Sequence, residues 1–180
     1  MISLFITALV IISSLSTGFS QSRYSGKVEI SYLYFGFRTI TVDAAPNWRG
    51  YHLENAQNGI GINLISGFTF KEKLFAGIGI GYLNFDLNNE GINGICVFSD
   101  LEFTPPSYRK FSPYLNTKKG YSQLHSQFWN RNENRTGTAL VELGAGLRHR
   151  LTEKMEVYLQ SGILLSQQSA FFPIRIGVHF

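Results

Sequence analysis

Ile174-Arg175-Ile176-Gly177-Val178-His179-Phe180 alternates apolar and polar residues and stops on an aromatic. Period-two alternation marks a strand with two unlike faces, so the sequence reads as strand up to its last residue. Free termini ordinarily fray. Residues that keep their pattern to the end need a pairing strand on one edge and an apolar medium for Ile174, Ile176, Val178 and Phe180. A closed barrel in a lipid bilayer supplies both, because its last strand pairs with its first and its outer face meets hydrocarbon. Parity then turns Arg175 and His179 into the lumen, where acids such as Glu29 on the first strand are placed to answer them.

The other end of the sequence points the same way. Ile2 to Ile12 is apolar except for Ser3 and Thr7, and small residues precede Gln21. This run is too short to span a membrane, and residues 1–20 read as a secretory signal peptide cut after Ser20, although no Lys or Arg precedes the run. Residues 21–180 are then enough for one domain. They hold no apolar stretch near 18 residues, so any crossing of a membrane uses strands. The single cysteine, Cys96, excludes an internal disulfide and lies too far from the cleavage site to carry a lipid anchor. A net charge of +4 without a basic cluster beyond Lys118-Lys119 and Arg148/Arg150 argues against nucleic-acid binding.

Period-two scoring predicts about eight strands near the length a tilted strand needs to cross an outer membrane. They are Lys27 to Phe35, about Ala56 to Phe68, Leu74 to Asp86, Gly94 to Phe103, Tyr114 to Leu124, Thr138 to Arg150, Glu156 to Leu165, and the terminal strand. In the fifth, Lys118 and Lys119 are adjacent, so one of them faces lipid if the strand is regular. The turns at Lys71-Glu72-Lys73 and Thr152-Glu153-Lys154 are short, and the opposite side carries longer segments rich in Asn, Gln and Trp. Short turns belong on the periplasmic side, which puts both termini there. The expected fold is all-β, an eight-stranded antiparallel up-and-down transmembrane barrel. A soluble barrel has the same period but needs an apolar inside, and the second face here is built from Gly, Asn, Gln, Ser, Glu and Arg.

The leader, the strand count, the glycine-alternating segments Gly77 to Tyr82 and Val141 to Leu147, Pro113-Tyr114 followed by Gly120-Tyr121, and the terminal Phe180 together resemble small Gram-negative outer-membrane β-barrel proteins of the OmpA/OmpX-like, porin-family type. The resemblance implies export by a Sec-type route, residence in the cell outer membrane among lipid and lipopolysaccharide, and a monomer. It also implies that Phe180 is the signal read by the barrel-assembly machinery.

Within that frame Glu29, Asp100, Glu102, Glu142, Arg148, Gln160, Arg175 and His179 are expected to face inward as a polar plug. Glycines at 59, 61, 77, 79, 81, 144 and 146 make room for larger neighbours. Aromatic residues near strand ends, Tyr24, Tyr82, Phe111 and Tyr114 among them, suit the rims of a membrane barrel. Phe128, Trp129, Arg131 and Arg135 lie in or beside an amide-rich loop and are the candidates for contact with an extracellular ligand. No catalytic, cofactor or metal site is expected. His125 and Ser126 resemble the His and Ser of lipid A deacylase barrels, but they are adjacent rather than two apart, so a strand turns them to opposite faces. The expectation is a non-enzymatic outer-membrane barrel acting through structure or its loops, with a lipid-modifying enzyme or a narrow passive channel as alternatives.

Overall fold

The computed structural model describes residues 22–38, 58–85, 92–106, 110–126, 135–166 and 169–180. Among them the chain forms β1 (Ser22–Arg38), β2 (Gly59–Phe70), β3 (Leu74–Asn84), β4 (Ile92–Phe103), β5 (Phe111–Ser126), β6 (Arg135–Thr152), β7 (Met155–Ser166) and β8 (Ser169–His179). Each strand pairs antiparallel with its sequence neighbour, and β8 returns to β1, so the sheet closes into a barrel. The closing register sets Ile30 against Ile176 and Glu29 against Gly177. Closure leaves no ladder of unpaired backbone groups facing lipid. The terminal residue takes part, since Phe180 and Gly26 exchange both backbone hydrogen bonds, at 2.8 and 2.9 Å.

Most strands run further than side-chain alternation predicts. β1 begins at Ser22 rather than Lys27, and β5 at Phe111 rather than Tyr114. Ladder hydrogen bonds do not require an apolar side chain, so Ser22 to Lys27 continue to pair with Phe70 to Ile65 after the pattern fades. The earlier start of β5 corrects the placement of Tyr114. Phe111 stands exposed at the rim, while Tyr114, three residues on and of opposite parity, is buried in the lumen.

The outer surface is inverted relative to a water-soluble protein. Ile30, Ile62, Ile78, Ile80, Leu101, Leu143, Leu147, Leu159 and Ile176 are among many large apolar side chains exposed on it. Tyr24, Phe68, Phe103, Phe111 and Phe180 ring the end that carries the short turns, and Tyr32, Tyr34, Tyr82, Tyr121 and Phe172 ring the other. An apolar band between two aromatic girdles, about 25 Å tall in membrane barrels generally, is what hydrocarbon and its two interfaces select. The chain is therefore a transmembrane barrel, and its short-turn end is the periplasmic end of that architecture.

The β2–β3 connection is a tight turn in which Lys71 and Glu72 both have positive φ, 50° and 56°. Two such residues in succession describe the type I′ geometry, whose hand matches the twist of the flanking strands. Asn-Gly adopts it at less cost than Lys-Glu, because side chains with a full stem crowd the backbone there.

Candidate functional site

The lumen has two layers of opposite character. Toward the periplasmic end it holds Lys27, Lys118, Arg148 and Arg175 with Glu29, Asp100, Glu102 and Glu142, four charges of each sign, all buried. All eight residues expected to face inward do so, and strand parity alone is the cause. Lys27 and Lys118 belong to the same set and escape a search made by expected ion-pair partners.

Glu29 is the hub. Its carboxylate accepts from Asn63 at 2.7 Å and from the Tyr158 hydroxyl at 2.8 Å, lies 3.3 Å from Arg175, and pairs with Lys118. Arg175 grips Glu142 through two nitrogens, Nε at 2.8 Å and Nη2 at 2.6 Å. Such a bidentate fork fixes orientation as well as charge. Lys27 donates to both Asp100 and Glu102 at 2.8 Å and sits 3.9 Å over the Phe75 ring. Gln160 links the two sides, donating to Glu142 and Asn116 at 2.9 Å while accepting from Tyr114 at 3.3 Å. Asn116 in turn donates to Asp100, and Arg148 pairs with Glu102.

Lys118 and Lys119 separate as adjacent strand residues must. Lys118 enters the plug, while Lys119 is exposed on the outer face, two residues below the girdle residue Tyr121. His179 does not answer Glu29; its Nδ1 lies 3.5 Å from Glu156 instead. The two strands bring Glu29 opposite Gly177, and the His179 ring lies lower, packed edge-on against Phe75.

Toward the extracellular end the lumen turns apolar, which corrects the expectation of a polar interior throughout. Leu33 and Phe35 of β1, Leu83 of β3, the adjoining Phe85, Ile92 of β4, Leu124 of β5, Leu164 of β7 and Phe171 of β8 are buried together. Phe171 anchors this layer, with ring centroids 5.8 Å from Phe35 and 5.4 Å from Phe85. These residues stand on the same inward face as the charges; only their height along the strands differs.

Inward glycines supply the width that both layers need. A Cβ on Gly81 would lie 1.9 Å from the Asn63 amide oxygen, and one on Gly177 would lie 2.4 Å from the Tyr158 ring. Without Gly177, Tyr158 cannot lie across the lumen to reach Glu29.

Of the remaining candidates, Phe128, Trp129 and Arg131 lie outside the described residues, as do residues 1–20. Arg135 opens β6, its backbone paired with His125, and Ser126 pairs with Ile92 at the end of β5. Among the described residues no group of three His, Cys, Asp or Glu side chains is placed to hold a metal ion.

Solved structures share this fold, among them two outer-membrane proteins. The chain superimposes on Neisserial surface protein A with a TM-score of 0.62 at 8% identity, covering 88% of this chain and 97% of that one. The fold is that of the small outer-membrane β-barrels. The N-terminal barrel domain of Pseudomonas aeruginosa OprF matches with a TM-score of 0.56 at 13% identity, over 89% of this chain and all of that domain. No protein-family model and no curated protein sequence matches the chain. At such identities the likeness is one of architecture, held by strand parity and closure rather than by particular side chains.

Proposed function

We propose that this outer-membrane barrel is a non-enzymatic, monomeric envelope component whose work is structural or is done by its extracellular loops. The observation that carries this reading is the double closure of the lumen. A layer with four charges of each sign occupies the periplasmic half, and a packed aromatic and aliphatic layer occupies the extracellular half. An ion that displaced the first would still face an apolar constriction, which excludes charge by refusing water. A passive channel is disfavoured on that ground. The deacylase alternative rests on His125 and Ser126, whose adjacency in β5 is the wrong spacing for that chemistry.

Phe180 is the proposed assembly signal. Its backbone closes the barrel at Gly26 while its ring stays exposed on the lipid-facing side, where an assembly factor reaches it before closure. Lipid and lipopolysaccharide are the surroundings proposed for the outer face, and the loop residues Phe128, Trp129, Arg131 and Arg135 are the proposed contact with an extracellular ligand.

The test is direct. Refolded protein in planar bilayers is expected to show no conductance steps, and a deletion strain is expected to keep its lipid A unchanged. Replacing residues 127–134 with a short Gly-Ser linker should leave outer-membrane fractionation and heat-modifiable gel migration intact. Steady single-channel conductance, or altered lipid A in the deletion strain, would overturn the reading.

A further inference from the structure

Below the charged layer, at the periplasmic mouth, the barrel opens into a cavity of about 500 Å³. Five cationic side chains line it, Arg23, Lys71, Arg148, Arg150 and Lys154, against three carboxylates. The upper wall holds a buried donor that is not used: among the described residues Arg148 Nε has no hydrogen-bond partner, and neither has His179 Nε2. Glu156, a carboxylate of the cavity wall, is oversubscribed. It faces Arg148 at 3.2 Å, Arg150 at 3.3 Å and His179 at 3.5 Å. Two guanidiniums share Glu156, and even with Glu102 pairing Arg148 from the layer above, the five cations of the lining outnumber the carboxylates that face them. Buried donors of this kind normally find a partner.

A second observation comes from the turn that forms part of the wall. Lys71 and Glu72 hold positive φ where Asn-Gly would fit at less cost, and both side chains line the cavity. Backbone strain tolerated in order to present a charged side chain is characteristic of a binding site.

We infer that the periplasmic mouth is a binding site for a phosphate group, with Arg148, Arg150 and His179 as its upper wall and Arg23, Lys71 and Lys154 as its entrance. Guanidinium groups match the oxygens of a phosphate in paired hydrogen bonds, which suits the two arginines. The cavity also touches Phe180, whose ring belongs to the lipid-facing girdle. Its rim is therefore continuous with the inner-leaflet interface, and a phosphodiester headgroup can enter while its acyl chains stay outside. A free phosphate compound offers the same chemistry from the aqueous side. This site is independent of the loop-based reading given above.

The experiment uses the chain refolded in zwitterionic micelles and in nanodiscs, read by amide NMR shifts at residues 71–73 and 152–155. Inorganic phosphate is titrated in micelles against sodium chloride of matched ionic strength. Phosphatidylcholine nanodiscs are compared with nanodiscs that also hold phosphatidylglycerol. The triple variant R23Q/K71Q/K154Q removes the entrance. K73Q/K110Q/K119Q removes the same charge from exposed lysines that do not line the cavity, and heat-modifiable migration verifies the fold of both. Saturable shifts that the entrance variant weakens by about tenfold or more, and the charge-matched control by less than about twofold, are expected. Shifts induced by phosphatidylglycerol and reversed by phosphate identify a lipid headgroup; shifts with phosphate alone identify a soluble ligand. No saturable shift with either probe, or equal losses in both variants, overturns the site.

Discussion

The periplasmic and extracellular halves of the lumen fill the same barrel with opposite chemistry. In the lower half each charged group is held by partners on other strands, so Glu29 of β1 reaches β5, β7 and β8 through Lys118, Tyr158 and Arg175. In the upper half Phe171, Phe35, Phe85, Leu33 and Leu164 meet without direction. The difference teaches that a small membrane barrel has no single rule for its interior. Lipid dictates the outer face, and the inside is free to use any set of side chains that fills the width and leaves no polar group stranded. A directional network fixes which strands face one another, whereas an apolar packing excludes water.

Breaking the lower half is expected to produce the largest effect. Glu29→Ala leaves Lys118 and part of Arg175 as uncompensated buried charge, and the loss of one member of such a network costs about 3–5 kcal/mol. Urea titration of the refolded barrel against wild type measures it, and a loss below about 1 kcal/mol would mean that water replaces the carboxylate. Phe171→Ala tests the upper half. It removes the ring that joins Phe35 and Phe85 and should cost about 3 kcal/mol by the same titration. Bilayer recordings of this variant should remain silent, because the charged layer below is untouched. Conductance in this variant alone would show that the apolar layer is the whole seal.

A third substitution asks how tightly the lower half is fitted. Gly177→Ala places a methyl group against the Tyr158 ring, which must move away from Glu29. Overpacking of this kind costs about 1–3 kcal/mol. Pairing it with Tyr158→Phe in a double-mutant cycle separates the steric loss from the lost hydrogen bond.

Strand parity made much of this fold legible in the sequence, and its failures have physical causes. The alternation in Ile174 to Phe180 gave the closure of β8 on β1, and inward parity gave the positions of Glu29, Asp100, Glu102, Glu142, Arg148, Gln160, Arg175 and His179. Lys118 and Lys119 could not be assigned while the register of β5 was open, because adjacent residues exchange faces with a shift of one. Tyr114 was misplaced for the same reason, since β5 begins three residues earlier than its side chains suggest. The apolar upper lumen was hidden because Leu33, Leu83 and Leu124 look identical to lipid-facing residues unless the strand is already phased. The partner of His179 depends on how far β7 and β8 descend together, a property of closure that no single strand carries.

The smallest expected effect sharpens the contrast between the halves. Ser122 and Ser166 are buried at the extracellular end and share a hydrogen bond of 3.1 Å between β5 and β7, close to the apolar cluster. If apolar packing sets the stability of this half, the pair is dispensable. A single Ser122→Ala leaves the Ser166 hydroxyl without that partner and should cost about 1 kcal/mol, whereas S122A/S166A removes both groups and should lie within about 0.5 kcal/mol of wild type. With Ser166→Ala costing about as much as Ser122→Ala, the double-mutant cycle would then return a favourable coupling of about 2 kcal/mol, near the sum of the two single costs. Additive losses in the double variant would mean that directional contacts hold the upper half as they hold the lower, and the distinction between the two layers would reduce to one of charge.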